Sequence, residues 1–339
     1  MGRNGNKVLR GRMKNVFLFP GQGAQKKGMF LDICQKYPEA MKTVRLAEEI
    51  AQEPVSEYMW ETEEEELSRS DRSQFAMTTA SLAVTNLLAS KGIEADLCAG
   101  FSLGEFAALC TAGVLTFEET IRLVKERGVI MQKACEALSA ASAGSKPGMA
   151  AVIGLAPEQV EAAIAPLAAE KCAYAANLNS PKQTVISGTA AGLDKAETLC
   201  KEAGCRRFIK LKVAGPFHSP LMAEAAAQFK EVLASVSFKD PQKRLFSNVI
   251  GREILSGEEA RVLAAEHFTH PVQWMSEEAV IAGIIGYDDK NVSTRWRLFE
   301  TGAGSVLSGL WRDSGFSAHI SCVPLNTVES LEEVINKEV

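Results

Sequence analysis

Ser102 is the residue whose surroundings most clearly suggest chemistry. It lies at the centre of Gly100-Phe101-Ser102-Leu103-Gly104, between the apolar run Leu97–Ala99 and a segment, Leu103–Cys110, with a helical pattern. A serine on a sharp turn between a strand and a helix is the setting of a nucleophile elbow. The glycines permit the turn, and the free N–H groups of the helix start lie beside the hydroxyl. The pentapeptide alone is common, but this setting predicts a nucleophile.

A serine nucleophile needs a base, and the chain has only four histidines. His218 follows a predicted strand in the loop "VAGPFHSPLM", and strand ends are where sites form in open α/β sheets. His319 lies near the C-terminus, where an α/β-hydrolase places its base, with Asp288 or Asp289 as the acid. The residues alone leave both histidines open.

The other two histidines, His267 and His270, lie in the stretch "EHFTHPVQW". We expect surface or packing roles for both. Their spacing of three residues could hold a metal ion, but no third ligand accompanies them, so we expect no metal site.

Arg127 interrupts the apolar face of a predicted helix. Thr116 and Glu119 form a capping box at its start. One side of this predicted helix carries Ile121, Leu123, Val124, Ile130 and Met131. A charge in the middle of this face is costly unless it is paired. Arg127 therefore either forms a buried salt bridge, with Glu105 or another acid, or offers its guanidinium to the carboxylate of a ligand.

Predicted strands alternate with helices from Val16–Phe19 through Leu97–Ala99, which indicates an α/β domain with a mainly parallel sheet. Residues 147–211 instead read β-α-β-β-α-β, the order of a ferredoxin-like split motif. We therefore predict a hydrolase-like α/β domain over 13–146 and 212–339, with a ferredoxin-like subdomain inserted at 147–211. Residues 1–12 are polar and basic, and we interpret them as an extension.

Composition excludes several classes of function. The chain has 339 residues, 46% of them hydrophobic, and a net charge of −5. It lacks the basic block of a nucleic-acid-binding protein and an apolar run of the roughly 20 residues that span a membrane. The eight cysteines include no C-x-x-C pair, which is typical of reduced thiols. We expect a cytoplasmic protein, monomeric and without a cofactor.

Taken together, the motifs resemble a known family. The chain from Met13 onward is similar to malonyl-CoA:acyl carrier protein transacylases of bacterial fatty-acid synthesis and to the acyltransferase domains of polyketide synthases. The resemblance rests on "FPGQGAQ" (19–25), "GFSLGE" (100–105), "ERGVIMQ" (126–132), "NLNSPKQTVISG" (177–188), "PFHSPLM" (216–222), "SNV" (247–249), "HPVQW" (270–274) and "FETGAGSVLSGL" (299–310).

The resemblance implies a catalytic role for three residues. Ser102 matches the serine that accepts the acyl group, and His218 matches the general base. Gln273 matches the residue whose backbone carbonyl orients that histidine. This assignment would exclude His319 as the base.

The resemblance also implies an oxyanion hole and a substrate-binding site. Gln22 and Leu103 match the positions that supply two backbone N–H groups to the oxyanion. Arg127 matches the arginine that grips the malonyl carboxylate. The other substrate-binding positions are Phe217, Met131 and Asn177, and a bulky residue at 217 is associated with malonyl rather than α-methyl substrates.

The activity that the resemblance implies is ping-pong transfer of malonyl from malonyl-CoA to the phosphopantetheine thiol of acyl carrier protein. The alternatives are a trans-acting polyketide acyltransferase and a serine thioesterase or esterase that uses His319. Phe101 replaces a histidine usual in the family. The segment Tyr287–Arg297 lengthens the usual spacing, and we expect an exposed loop there.

Overall fold

The computed structural model describes residues 12–142, 145–286 and 296–337. Its strands are β1 (Lys14–Phe19), β2 (Leu97–Gly100), β3 (Gly148–Ile153), β4 (Ala173–Ser180), β5 (Gln183–Gly188), β6 (Arg207–Lys210), β7 (Arg244–Ser247), β8 (Arg252–Ile254), β9 (Trp296–Glu300) and β10 (Cys322–Pro324). The α-helices are α1 (Leu31–Lys36), α2 (Pro38–Ala51), α3 (Val55–Trp60), α4 (Glu64–Leu67), α5 (Ser70–Ser90), α6 (Gly104–Thr111), α7 (Phe117–Ala141), α8 (Pro157–Ala169), α9 (Ala190–Glu202), α10 (Ala223–Leu233), α11 (Gly257–Glu266), α12 (Trp274–Ile284), α13 (Val306–Asp313) and α14 (Val328–Ile335).

The larger sheet has the strand order β10-β9-β1-β2-β7-β8. The first five strands are parallel, and β8 pairs antiparallel with β7 at one edge. Residues 16–19 of its central strand β1 are a continuous apolar run buried on both faces, as parallel strands covered by helices are. Phe17 and Phe19 join one core cluster, and Val16 and Leu18 join the other, because successive side chains point to opposite faces.

The smaller sheet has the order β4-β5-β3-β6, with every pairing antiparallel. Helices α8 and α9 cover it around a separate apolar core. The chain order β3-α8-β4-β5-α9-β6 is the ferredoxin-like arrangement expected from the sequence. These strands run from Gly148 to Lys210, inside the range assigned to the subdomain; the exact domain boundaries stay predictions.

The structure adds to the sequence-based description in two places. Strands β7 and β8 were not anticipated, although β7 lies next to β2 in the centre of the site. Trp296 and Arg297 belong to strand β9 rather than to an exposed loop, and Arg297 donates from Nε to Asn15 Oδ1 at 2.8 Å. The rest of that expected loop, 287–295, lies outside the described residues, as do residues 1–11. Within the described ranges, no helix is both long and apolar enough to cross a membrane.

Candidate active site

The site lies at the carboxyl ends of three neighbouring strands of the large sheet. Strands β1, β2 and β7 are adjacent and parallel, so the residues that follow them meet at one edge. Gln22 follows β1, Ser102 follows β2 and Asn248 follows β7. Three distant segments thus converge on the predicted nucleophile.

Ser102 is held in a strained backbone conformation. Its φ is 52°, in the left-handed region that non-glycine residues seldom adopt. The flanking glycines allow the turn to close. A Cβ on Gly100 would lie 2.1 Å from the carbonyl carbon of Gly104, and a Cβ on Gly104 would lie 2.0 Å from the carbonyl oxygen of Phe19. These contacts confirm the sharp turn and explain why no larger residue fits at either position.

His218 is the partner of Ser102. The Ser102 hydroxyl lies 2.8 Å from His218 Nε2, and His218 Nδ1 lies 2.9 Å from the carbonyl oxygen of His267. Because a carbonyl can only accept, Nδ1 carries the proton and Nε2 is free to accept one from the hydroxyl. This is the tautomer that a general base needs, and it favours His218 over His319 as the base.

The orienting carbonyl is that of His267, so the assignment of this role to Gln273 is wrong. Gln273 precedes helix α12, and its carbonyl accepts the N–H of Glu277 at 3.1 Å. Its own N–H donates to the Asn248 carbonyl at 2.7 Å. The helix therefore occupies the Gln273 carbonyl, whereas His267 lies at the end of α11, where its carbonyl can face His218.

The base is kept neutral by its surroundings. Burial and the nearby Arg127 lower the pKa of His218 to about 4. His218 itself has a φ of 56°, so the loop that carries it is also strained. The Ser187 hydroxyl of β5 donates to the carbonyl of Phe217 and fixes this loop against the small sheet.

Gln22 and Leu103 offer backbone N–H groups next to the elbow. Within the described residues, neither N–H has a hydrogen-bond partner. Leu103 is the residue immediately before α6, where N–H groups are left free by the helix geometry. The Gln22 side chain is fixed by its donor contact to Ser73 Oγ at 2.6 Å and by the Gln74 amide. The two N–H groups are therefore free to receive an oxyanion, and this role, which the resemblance implies, stays a prediction.

Arg127 is almost fully buried, with 1% of its surface exposed. One terminal nitrogen (Nη1) donates to Gln74 Oε1 at 2.7 Å, and the other (Nη2) lies 3.4 Å from His267 Nδ1. The guanidinium also lies against the rings of Phe106 and Phe268. No carboxylate among the described residues comes within 4.0 Å of it, so the alternative of a salt bridge with Glu105 is wrong.

This arrangement leaves the charge of Arg127 available. Burial lowers its pKa to about 9, which still keeps it protonated at neutral pH. Its Nε has no hydrogen-bond partner among the described residues. A buried cation with only neutral partners is a site for an anionic group, because a carboxylate can form the charge-assisted hydrogen bonds that are absent.

The structure places the other predicted substrate residues around this site. Phe217 is buried beside His218. Met131 lies one helical turn after Arg127 on α7, and its sulfur accepts from the Gln74 amide at 3.1 Å. Asn177 lies on β4 and forms a parallel β-bridge with Val272, which connects the small sheet to the segment after α11. Contact of these three with a substrate stays a prediction.

Asn248 is a functional residue that the sequence reasoning missed. Its Oδ1 accepts the Ser102 N–H, and its Nδ2 donates to the Gly100 carbonyl and, at 2.8 Å, to Glu277 Oε1. Its N–H donates to Glu105 Oε2 at 2.8 Å. One asparagine therefore holds both ends of the elbow. The motif "SNV" marked the position, but no pattern linked it to Ser102.

Buried acids lie beneath the elbow. Burial raises the pKa of Glu105 to about 7 and raises that of Glu277 well above its ordinary value. His267, expected at the surface or in packing, is buried between Glu105 and Arg127. The His270 ring is exposed and contacts the Glu266 carbonyl. In the described parts of the chain, no cluster of three His, Cys, Asp or Glu residues could hold a metal ion.

Comparison with known proteins assigns the class. Residues 16–280 match the acyl transferase domain family. The malonyl CoA-acyl carrier protein transacylase of Bacillus subtilis is 37% identical over 298 residues, covering 88% of this chain and 89% of that protein. The enzyme of the same name from Escherichia coli K12 is 33% identical, covering 87% of this chain and 91% of that protein.

Solved structures agree. A transacylase of this class from Streptococcus pneumoniae superposes with a TM-score of 0.85 at 32% identity, covering 96% of this chain and 100% of the other. A malonyl-transacylase in complex with a type II polyketide acyl-carrier protein has the same TM-score at 31% identity, with coverages of 96% and 99%. The chain belongs to the acyl transferase family and, within it, to the malonyl-CoA:acyl carrier protein transacylases.

Proposed function

We propose that this chain transfers the malonyl group of malonyl-CoA to the phosphopantetheine thiol of acyl carrier protein. The observation that carries the proposal is the pairing of Ser102 and His218 at 2.8 Å, close to a buried guanidinium that pairs with no carboxylate of the described residues. Ser102 and His218 carry out the acyl transfer, and Arg127 makes the site selective for an acyl group that ends in a carboxylate.

The first half-reaction acylates the serine. His218 Nε2 takes the hydroxyl proton as Ser102 Oγ attacks the thioester carbonyl. The N–H groups of Gln22 and Leu103 stabilise the resulting oxyanion. The carbon–sulfur bond then breaks, the proton on His218 passes to the departing coenzyme A sulfur, and malonyl-serine remains.

The second half-reaction reverses these steps with a different thiol. The carrier thiol gives its proton to His218 and attacks the malonyl-serine carbonyl. The ester bond breaks, and Ser102 Oγ recovers the proton from His218. Because the same base serves both directions, the enzyme needs a base that is neutral between the steps, which suits the lowered pKa of His218.

Arg127 supplies selectivity against acyl groups without a carboxylate. An acetyl group would bury the guanidinium without an anionic partner, at a cost on the order of 2–5 kcal/mol relative to malonyl. Phe217, buried next to His218, limits the space beside the reacting carbon, and we propose that it disfavours α-methyl groups.

The carrier protein would dock near the path to His218. Strand β6 is an edge strand of the small sheet, and the chain runs from it directly to the His218 loop. Arg206, Arg207 and Lys212 are exposed there, while Lys210 pairs with Asp194. A basic edge of this kind fits an acidic carrier, and reversing Arg206 and Arg207 to Glu should raise the KM for the carrier without changing acylation by malonyl-CoA.

We propose a cytoplasmic monomer that requires no cofactor. All eight cysteines are free, as in reducing compartments. The proposed steps use only side chains and backbone N–H groups of one chain.

The test is the covalent intermediate. Incubation with malonyl-CoA should add one malonyl group to the intact protein, peptide mapping should place it on Ser102, and Ser102→Ala should gain no mass. Addition of a holo-carrier protein should then remove the adduct and malonylate the carrier. Rapid hydrolysis without transfer to any carrier would instead support a thioesterase.

The choice of carrier distinguishes two pathways. The chain is 35% identical over 311 residues to a polyketide biosynthesis protein of Burkholderia thailandensis, a match that covers 90% of this chain and 24% of that protein. A polyketide carrier is therefore a second candidate. Parallel assays with a fatty-acid carrier and a polyketide carrier would decide. The carrier with the higher kcat/KM is the physiological class.

A further inference from the structure

The imidazole of His267 has no task in the reaction steps above, which use only its backbone carbonyl. The ring is nonetheless 1% exposed and lies between the two functional parts of the site. Its Nε2 is 3.1 Å from Asn248 Oδ1, and its Nδ1 is 3.4 Å from the terminal nitrogen of Arg127. Asn248 in turn holds the N–H of Ser102.

The hydrogen bonds fix the state of this ring. The Ser102 N–H can only donate and the Gly100 carbonyl can only accept, so the Asn248 amide has one possible orientation, with Oδ1 towards Ser102. That oxygen also faces His267 Nε2, which must therefore carry the proton. Nδ1 is then an acceptor, and it faces the one group there that can only donate, the Arg127 guanidinium.

The backbone that carries the ring is fixed on two sides. The Val272 N–H donates to the Ala176 carbonyl of the small sheet at 2.8 Å, and the Val272 carbonyl accepts from the Leu178 N–H at 2.9 Å. The Gln273 N–H donates to the Asn248 carbonyl at 2.7 Å. The neighbouring Phe268 lays its ring 5.0 Å from the guanidinium carbon of Arg127. The segment 267–273 therefore supports the base through a carbonyl and the cation through two side chains.

We infer that the His267 imidazole is a positioning residue that holds the Arg127 guanidinium at a fixed place relative to Ser102 and thereby sets the preference for acyl groups with a terminal carboxylate. The inference rests on the proposed function. A carboxylate in this position would hold Arg127 more tightly but would neutralise it. A neutral imidazole in a single tautomer orients the guanidinium and leaves its charge for the substrate.

The consequence is a separation of two roles within one residue. The carbonyl of His267 acts on His218 and survives any side-chain substitution. The ring acts on Arg127 and Asn248. Removal of the ring nitrogens should therefore affect malonyl far more than acetyl, because only malonyl uses the guanidinium.

The experiment compares acylation by malonyl-CoA and acetyl-CoA in the wild-type protein and four variants. His267→Phe keeps an aromatic ring without nitrogen, and His267→Leu serves as a second apolar variant. His267→Gln retains one acceptor and one donor and tests rescue. His270→Leu is the matched control, because it removes an exposed imidazole three residues further along the same segment.

We expect the ratio of kcat/KM for malonyl-CoA to that for acetyl-CoA to fall about 10- to 100-fold in His267→Phe or His267→Leu, the range for loss of a hydrogen bond to a charged group. The change should appear mainly in the KM for malonyl-CoA. The ratio should stay within about threefold in His267→Gln and in His270→Leu.

Several results would overturn the inference. An unchanged ratio in a folded His267→Phe or His267→Leu protein would show that Gln74 and the aromatic rings suffice to place Arg127. An equal loss for both substrates would assign the ring a structural role around Ser102 instead. If the wild-type protein itself accepts no malonyl group, the proposed function fails, and that result is independent of any His267 variant.

Discussion

Two buried polar regions flank Ser102, and they hold ionisable groups in opposite ways. Beneath the elbow, Glu105 and Glu277 accept hydrogen bonds from Asn248 and have raised pKa values because they are buried. On the substrate side, Arg127 is equally buried but is held by Gln74, His267 and two aromatic rings, none of which carries a negative charge.

The difference follows from what each group can do when water is removed. A carboxyl group can bind a proton near neutral pH and lose its charge, so the acids beneath the elbow can become neutral hydrogen-bonding groups. A guanidinium stays protonated, so its burial leaves a charge without a partner. The first region can therefore lose its charge in the free enzyme, while the second gains its counter-charge from a carboxylate that arrives with the substrate.

His218 contacts Ser102 directly, and its loss should have the largest effect. His218→Ala should lower kcat/KM for malonyl transfer by about 10²–10⁴-fold, because His218 is the one described residue whose side chain can accept the Ser102 proton. His319→Ala should leave the rate within about threefold. Single-turnover acylation measured by intact mass would check both. Loss of acylation only in His319→Ala would contradict the assigned base.

Arg127→Ala breaks the substrate-side region directly. Malonyl transfer should fall about 10²–10³-fold, because the variant lacks the cation that pairs with the carboxylate, while acetyl transfer should be unchanged or faster. Competition between malonyl-CoA and acetyl-CoA would measure the change. Arg122→Ala is the control, since Arg122 lies on the same helix but is exposed and paired with Glu118. Equal losses for the two acyl groups would argue against carboxylate recognition.

Glu105→Gln tests the region beneath the elbow through its dependence on pH. The pKa of Glu105 is about 7 in the folded protein, against an ordinary value of 4.5, so the folded state binds a proton that the unfolded chain releases. Wild-type stability should therefore fall as pH rises from about 4.5 to 7, by about 3 kcal/mol from this group alone. Glutamine keeps an acceptor for the Asn248 N–H but cannot titrate.

The measurement is the free energy of unfolding in urea at pH 5 and at pH 8. As pH rises from 5 to 8, the free energy of unfolding of Glu105→Gln should increase relative to that of the wild type. Glu224→Gln, an exposed acid on α10, should show no such gain. A difference between Glu105→Gln and wild type that does not change with pH would mean that Glu105 stays ionised in the folded protein.

The sequence predicted the parts of the site that local patterns encode. The strand-turn-helix pattern located Ser102, and the helical periodicity showed that Arg127 faces the core. The residues alone left His218 and His319 open as the base, because the loop between β6 and α10 reaches Ser102 only through the tertiary fold.

The errors share a physical cause. Gln273 lies six positions after His267, in the segment that joins α11 to α12. The residue type does not show which backbone carbonyl in this segment faces His218. Strand β7 is short, so its pattern is weak, and the hydrogen bonds of Asn248 to the elbow join residues more than 140 positions apart in sequence. Only the packed sheet brings them together.

Phe101 adjoins Ser102 but belongs to neither polar region, so it should show the smallest effect. Its ring meets Trp274 edge-on with centroids 5.4 Å apart, and it takes part in none of the proposed proton transfers. Phe101→His should therefore keep malonyl transfer within about threefold and lower stability by about 1 kcal/mol through the weaker aromatic contact. Steady-state rates and a urea titration would test both. A Cβ built on Gly21 would lie 2.7 Å from the Phe101 carbonyl oxygen, so the Gly21 loop packs closely against residue 101. A large change in rate would therefore show that the side chain at position 101 controls the position of this loop, and with it the position of the Gln22 N–H relative to Ser102.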